Sequence, residues 1–258
     1  MIITKLLSSL LDAVKLSAAK CVFIEIFKRH GVDLKKAIPA MEELCNHQKQ
    51  ANEVAARERK RKAAKLRFPT ATLQNTDLSQ KKNLNAAMVK RLAIGAWVKD
   101  FAHLVFIGPT GTMKTTLACA FANALLDRDY KVLFYRFEYL IDELQTADDK
   151  EDRKCMTRLM NKLVKTDVIV IDDWGLFPLK SSQRRLLFNL VESREDKGSL
   201  IITSQYPPEK WHEVFGEATS ADAVLDRIVH RANLFDFKGE ESMRKLQAKN
   251  NGGVYVKH

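Results

Sequence analysis

Between Gly108 and Thr116 the chain reads Gly-Pro-Thr-Gly-Thr-Met-Lys-Thr-Thr. The stretch follows the apolar run His103–Ile107 and leads into a helix-forming segment, Thr115–Leu126. A glycine-rich turn between a buried strand and a helix N-terminus aims backbone N–H groups inward. The helix dipole adds positive potential, and together they hold phosphate. In such a P-loop Lys114 would contact the β- and γ-phosphates of a nucleotide, and the Thr115 hydroxyl would ligate Mg²⁺. Gly108, Pro109, Thr110, Gly111, Thr112, Met113 and Thr116 complete the cradle. The residue before the lysine is ordinarily glycine. Here it is Met113, and a Cβ hinders both the backbone conformation and the close approach that glycine permits.

A second motif follows at the right distance. Val168, Ile169, Val170 and Ile171 form an apolar run that ends in two carboxylates, Asp172 and Asp173. A buried strand that delivers acids at its C-terminal end is the Walker B arrangement. Asp172 would hold the metal, directly or through water. Asp173 stands where additional-strand ATPases place a glutamate that polarises the attacking water. The run Ser199–Thr203 ends in Thr203-Ser204-Gln205, any of which could sense a γ-phosphate or position water. Arg227, beside Asp226 on the expected helix Ala221–Arg231, could stabilise charge on a neighbouring subunit's nucleotide. A local ion pair is its other reading. Guanine specificity is disfavoured, because the only Asn-Lys pair, Asn161-Lys162, precedes the Walker B run and lacks the following aspartate. Six scattered histidines form no triad or metal cluster.

These residues need a scaffold that brings strand ends together. Five short apolar runs supply it: His103–Ile107, Lys131–Phe137, Asp167–Ile171, Ser199–Thr203 and Leu234–Phe237. Helical stretches such as Thr115–Leu126 and Gln183–Glu195 lie between them, which predicts an α/β fold with a parallel sheet covered by helices. Upstream, residues 1–67 read as helical, with Leu6, Leu7, Leu10, Leu11 and Val14 at helical spacing and Gly31 and Pro39 as punctuation. Phe68-Pro69 ends that region. A polar linker is expected over 69–83 and one amphipathic helix over 84–99, so the organisation reads as 1–68 helical domain, 69–100 linker and connecting helix, 101–246 nucleotide-binding domain and 247–258 tail.

Charge separates the two halves. Residues 1–100 hold 20 Lys and Arg against 9 Asp and Glu, while residues 101–258 hold 23 of each. The densest basic stretch carries Arg57, Arg59, Lys60, Arg61, Lys62, Lys65 and Arg67 against Glu58 alone. Spread around a helix, these cations would neutralise several phosphates with no aromatic to stack bases. That predicts sequence-independent binding to duplex DNA; a solvated or protein-docking face is the other reading. No uncharged apolar run approaches a membrane span, and four cysteines without a CxxC pair suit a reducing cytoplasm.

Together the residues resemble the IstB-like transposition helper ATPases. The resemblance rests on Phe106–Ala118, on Val170-Ile171-Asp172-Asp173-Trp174-Gly175-Leu176 and on Ile201–Gln205. Its most specific part is Ala223–His230 followed by Lys238–Lys245. It covers about residues 50–246 and implies an AAA+ ATPase related to the DnaC-type helicase loaders. It also implies ATP and Mg²⁺ as ligands, homo-oligomers with nucleotide between subunits, duplex DNA, and a partner transposase assisted in target insertion. Lys114, Thr115, Asp172 and Asp173 fall on the family's nucleotide and metal positions, Thr203 to Gln205 on its first sensor, Arg227 on its arginine finger and Arg244 on a second sensor. Met113 departs from the family's glycine. A helicase loader, a non-hydrolysing DNA-binding scaffold and a small-molecule kinase are the competing functions.

Overall fold

The computed structural model describes residues 34–76, 84–149, 153–215 and 218–237, with Ser9 and Asp12 besides. Intrachain contacts divide the chain into two units, 1–59 and 60–258. In the first, the described part is almost wholly helix α1, Leu34–Ala64, which crosses the boundary and runs through Pro39. The expected helices over residues 1–33 otherwise lie outside the described residues.

The second unit is built on a five-stranded parallel sheet. Its strands are β1 (His103–Ile107), β2 (Val132–Arg136), β3 (Val168–Trp174), β4 (Ser199–Ser204) and β5 (Ala232–Asp236), in the order β2-β3-β4-β1-β5. The helices are α2 (Ala86–Ile94), α3 (Ala96–Lys99), α4 (Lys114–Leu126), α5 (Phe137–Asp149), α6 (Arg153–Val164), α7 (Ser181–Arg194), α8 (Trp211–Phe215) and α9 (Ala218–Val229). All five expected strands form. β1, β3 and β4 are fully or almost fully buried, which is why their sequences read as continuous apolar runs rather than alternating ones.

Successive side chains of a strand point to opposite faces, and the core divides accordingly. Val105, Ile107, Ile169, Ile171 and Ile202 face a layer made by α5, α7, Trp211 and α9. Leu104, Phe106, Val168, Val170 and Ile201 face α4, whose Leu117 to Leu126 are almost entirely buried.

Three expectations differ from the structure. Among the described residues of 69–100, Ala71, Leu84, Val89, Leu92, Trp97 and Val98 are no loose connection, because they join the α4 cluster. Nor is 84–99 one helix: Gly95, at φ +80, ends α2 before α3 begins. A Cβ there would lie 2.7 Å from Leu125 Cδ2, so both the backbone turn and the packing call for glycine. The basic helix also stops early, at Ala64, where Lys65 takes a left-handed φ of +52. Lys65 and Arg67 therefore lie beyond it.

Candidate functional site

The C-terminal ends of β1, β3 and β4 meet at one edge of the sheet, as a parallel arrangement requires. From β1 the chain turns at Gly108, where φ is +153 and a Cβ would come within 3.0 Å of Phe237 Cβ. It then loops into the N-terminus of α4. Met113 is the N-cap of that helix, and its side chain makes no capping hydrogen bond. Backbone N–H groups at a helix N-terminus are donors that a phosphate can accept.

Met113 holds φ +62 and ψ +19, the left-handed conformation that glycine occupies at no steric cost. The loop thus keeps its shape despite the Cβ, at a backbone cost of roughly 1–2 kcal/mol. Replacing Met113 with glycine removes that strain but loosens the unfolded chain. We expect Met113→Gly to shift stability by no more than about 1 kcal/mol and ATP affinity by no more than about threefold. Thermal melts and nucleotide titration on both chains check this. A recovery of binding by tenfold or more would mean that Met113 disables the loop.

The Lys114 ammonium is buried against the loop itself, donating to Gly108 O at 2.7 Å and Pro109 O at 2.9 Å. The two acids depend on an irregularity of β3. On a regular strand neighbouring side chains diverge, but the register with β4 shifts between Ile171 and Trp174, and Asp173 has φ +60. A bulge of this kind re-aims side chains and brings both carboxylates to one site. Asp172 is fully buried. Its Oδ1 accepts the Thr115 hydroxyl at 2.7 Å and the Thr203 hydroxyl at 2.6 Å, and its Oδ2 accepts from Arg67 Nη1 at 3.3 Å. Asp173 N donates to Thr203 Oγ1 at 3.1 Å, and the Asp173 carboxylate lies 3.6 Å from Arg136 Nη2. Burial, and next the charge of Asp172, raise the pKa of Asp173 above the usual aspartate value.

Arg67, Lys114, Thr115 and Asp173 border a cavity of about 510 Å³, lined also by Phe68, Thr110, Gly111, Met113, Thr116, Leu176 and Gln205, while Asp172 and Thr203 are buried beside it. The volume suits a small ligand. The lining adds a cation and a helix N-terminus for phosphate, and a hydroxyl–carboxylate pair for a hard divalent ion such as Mg²⁺. The residues present fit a Mg²⁺–nucleotide.

The chain matches the family of IstB-like ATP-binding proteins over residues 28–251. It belongs to that family. It is 36% identical over 191 residues to an insertion-sequence ATP-binding protein of Sinorhizobium fredii, covering 72% of this chain and 77% of that protein. It is 31% identical over 187 residues to the insertion sequence IS21 ATP-binding protein of Pseudomonas aeruginosa, covering 72% and 69%. Among solved structures, the DnaC helicase loader superposes with a TM-score of 0.56 at 22% identity, covering 67% of this chain and 99% of that one. DnaA from Aquifex aeolicus, bound to AMPPCP, superposes at 0.55 and 19% identity, covering 73% and 58%. These likenesses show the fold alone, a parallel sheet covered by helices.

Against that fold the remaining candidates sort themselves. Of the three sensor candidates, Thr203 touches both acids' surroundings and Gln205 lines the cavity. The Ser204 hydroxyl donates to Trp174 O and accepts from Tyr206 N and Trp211 Nε1, and the residue is not among those lining the cavity. Thr112 is buried within the loop and bonds Pro109 O, while Pro109 is exposed. Arg227, on α9, bonds Glu195 at 2.9 Å and lies over the Phe188 ring, the local ion pair within one chain. Arg244 lies outside the described residues.

The basic cluster also divides. Arg57, Arg59 and Lys62 are exposed on α1. Lys60 instead bonds Asp129, and Arg61 bonds Asp127 and Asn123, on the far end of α4 and just past it. Arg67 reaches Asp172. The sequence reading missed Arg67, Phe68, Arg136 and Leu176 as parts of this site, and no spacing rule marks them. Among the described residues no helix is long and apolar enough to cross a membrane.

Proposed function

We propose that this protein is an ATP- and Mg²⁺-dependent AAA+ ATPase that oligomerises on duplex DNA and assists a partner transposase in target selection. The observation that carries the ATPase part is one cavity lined by Lys114, Thr115 and Asp173, with the buried Asp172 bonded to Thr115 and Thr203 beside it. Lys114 and the N-terminus of α4 bind and orient the polyphosphate. Thr115 and Asp172 would hold Mg²⁺, which would supply charge neutralisation to the polyphosphate. Asp173 orients water and accepts its proton. Thr203 fixes the Asp172 carboxylate and the Asp173 backbone, which ties the base to the metal position. Arg227 exchanges Glu195 for a phosphate held by a neighbouring subunit, completing the site between copies.

The transposase partner is inferred from the family and from relatives named as insertion-sequence ATP-binding proteins. That membership favours a transposition helper over a helicase loader. DNA binding is supported by the charge imbalance and by the exposed cations Arg57, Arg59 and Lys62. Reversing these three charges is expected to weaken duplex affinity at least tenfold at moderate salt, and to lower the slope of log affinity against log salt by roughly 0.9 per lost contact. ATP affinity should hold. Fluorescence anisotropy with labelled duplex, across a salt series, checks it. Unchanged DNA affinity would remove DNA from the proposal.

A further inference from the structure

The segment that follows the basic helix is bound along the P-loop helix. Lys60 and Arg61 bond at the C-terminal end of α4. Asn123, one turn back, donates to Pro69 O and Ala71 O at 3.1 and 2.8 Å. Arg67 reaches the other end, where its guanidinium meets Asp172 beside Thr115. This places a cation from outside the P-loop and Walker B motifs on the one carboxylate best built for a metal. Asp172 has 0% exposure, and its Oδ1 is already occupied by two hydroxyls, so the Oδ2 that faces Arg67 is the oxygen left for a cation. Two cations on one buried oxygen repel each other. The Arg67 side chain is 45% exposed and its guanidinium already lies 5.6 Å from the Phe68 ring centre. It can therefore leave Asp172 for solvent and the aromatic face at little cost.

We propose that Arg67 and Mg²⁺ compete for Asp172, so that Arg67 sets the metal requirement of the nucleotide site. Without metal, the guanidinium neutralises the buried carboxylate; metal binding displaces it to Phe68 and the cavity mouth. This deepens the nucleotide-binding reading and rests on it. Arg67 is a positioning residue here, acting on the carboxylate rather than on DNA.

The test is Mn²⁺ binding followed by electron paramagnetic resonance on the full chain, in the presence of a non-hydrolysable ATP analogue. Arg67→Gln and Arg67→Met both delete the charge, and the second keeps the apolar stem should the first fail to fold. Either is expected to tighten Mn²⁺ binding about three- to tenfold, and Arg67→Lys is expected to fall between them and the unaltered chain. Equal or weaker Mn²⁺ binding in the charge-deleted variants overturns the competition, and does so most plainly if duplex affinity falls instead. If the unaltered chain takes up neither the analogue nor Mn²⁺, the nucleotide-binding reading fails and this inference fails with it.

Discussion

Lys114→Ala is expected to lower ATP affinity about a hundredfold while leaving the fold intact. The lysine is buried in the loop with its ammonium on Gly108 O and Pro109 O, and the route from those carbonyls to a bound phosphate is a short swing of the side chain. A charge-assisted hydrogen bond contributes roughly 1.5–3 kcal/mol, and each 1.4 kcal/mol is about tenfold in affinity. Losing that contact to phosphate accounts for the size of the effect. The two carbonyls left behind belong to a loop at the cavity, where water replaces the ammonium, so unfolding should shift little. Isothermal titration with ATP and Mg²⁺, together with a thermal melt, separates the two consequences. Retained ATP affinity would mean that nucleotide binds elsewhere.

Asp173→Asn should act on the chemical step instead. Removing a general base typically costs 10²–10⁴-fold in turnover, and the amide keeps the volume and much of the hydrogen bonding. We expect turnover to fall by about a thousandfold with ATP affinity held or improved, since one negative charge has left a site that receives phosphates. The pH profile carries a second signature. Asp173 titrates above the ordinary aspartate range because burial and the Asp172 charge both disfavour its ionised form. The ionised form is the base, so turnover in the unaltered chain should fall as pH drops through that raised value. That acid limb should vanish in Asp173→Asn. An asparagine variant with near-normal turnover would assign the base to another residue.

Much of this site was legible because it sits where local pattern and sheet geometry coincide. A buried parallel strand must read as a continuous apolar run, and its C-terminal end must surface, so β3 marks Asp172 and Asp173, and the glycine-rich turn from β1 into α4 marks Lys114 and Thr115. What the sequence withheld depends on contacts between distant segments or on backbone irregularity. Ser204 and Gln205 are adjacent, yet one bonds Trp211 and the other faces the cavity, a distinction made by the chain's turn after β4. The left-handed conformation of Met113 shows that a methionine can hold the glycine's place, which composition alone argued against. Arg67 looked like one more cation of a basic stretch. Its role changed because the helix stops at Ala64 and the next residues run along α4 to Asp172, 105 positions away in sequence. Lys60 and Arg61 likewise lie 62–69 positions from their partners, beyond the reach of any periodicity.

We propose that DNA binding by the exposed cations of α1 and ATP turnover at the Lys114–Asp173 site are coupled. Steady-state ATP hydrolysis by the full chain, measured with and without duplex DNA at constant ionic strength, tests it most directly. The account predicts measurable turnover that duplex DNA changes severalfold. Turnover that is absent, or that is identical with and without DNA across a salt series, would contradict it.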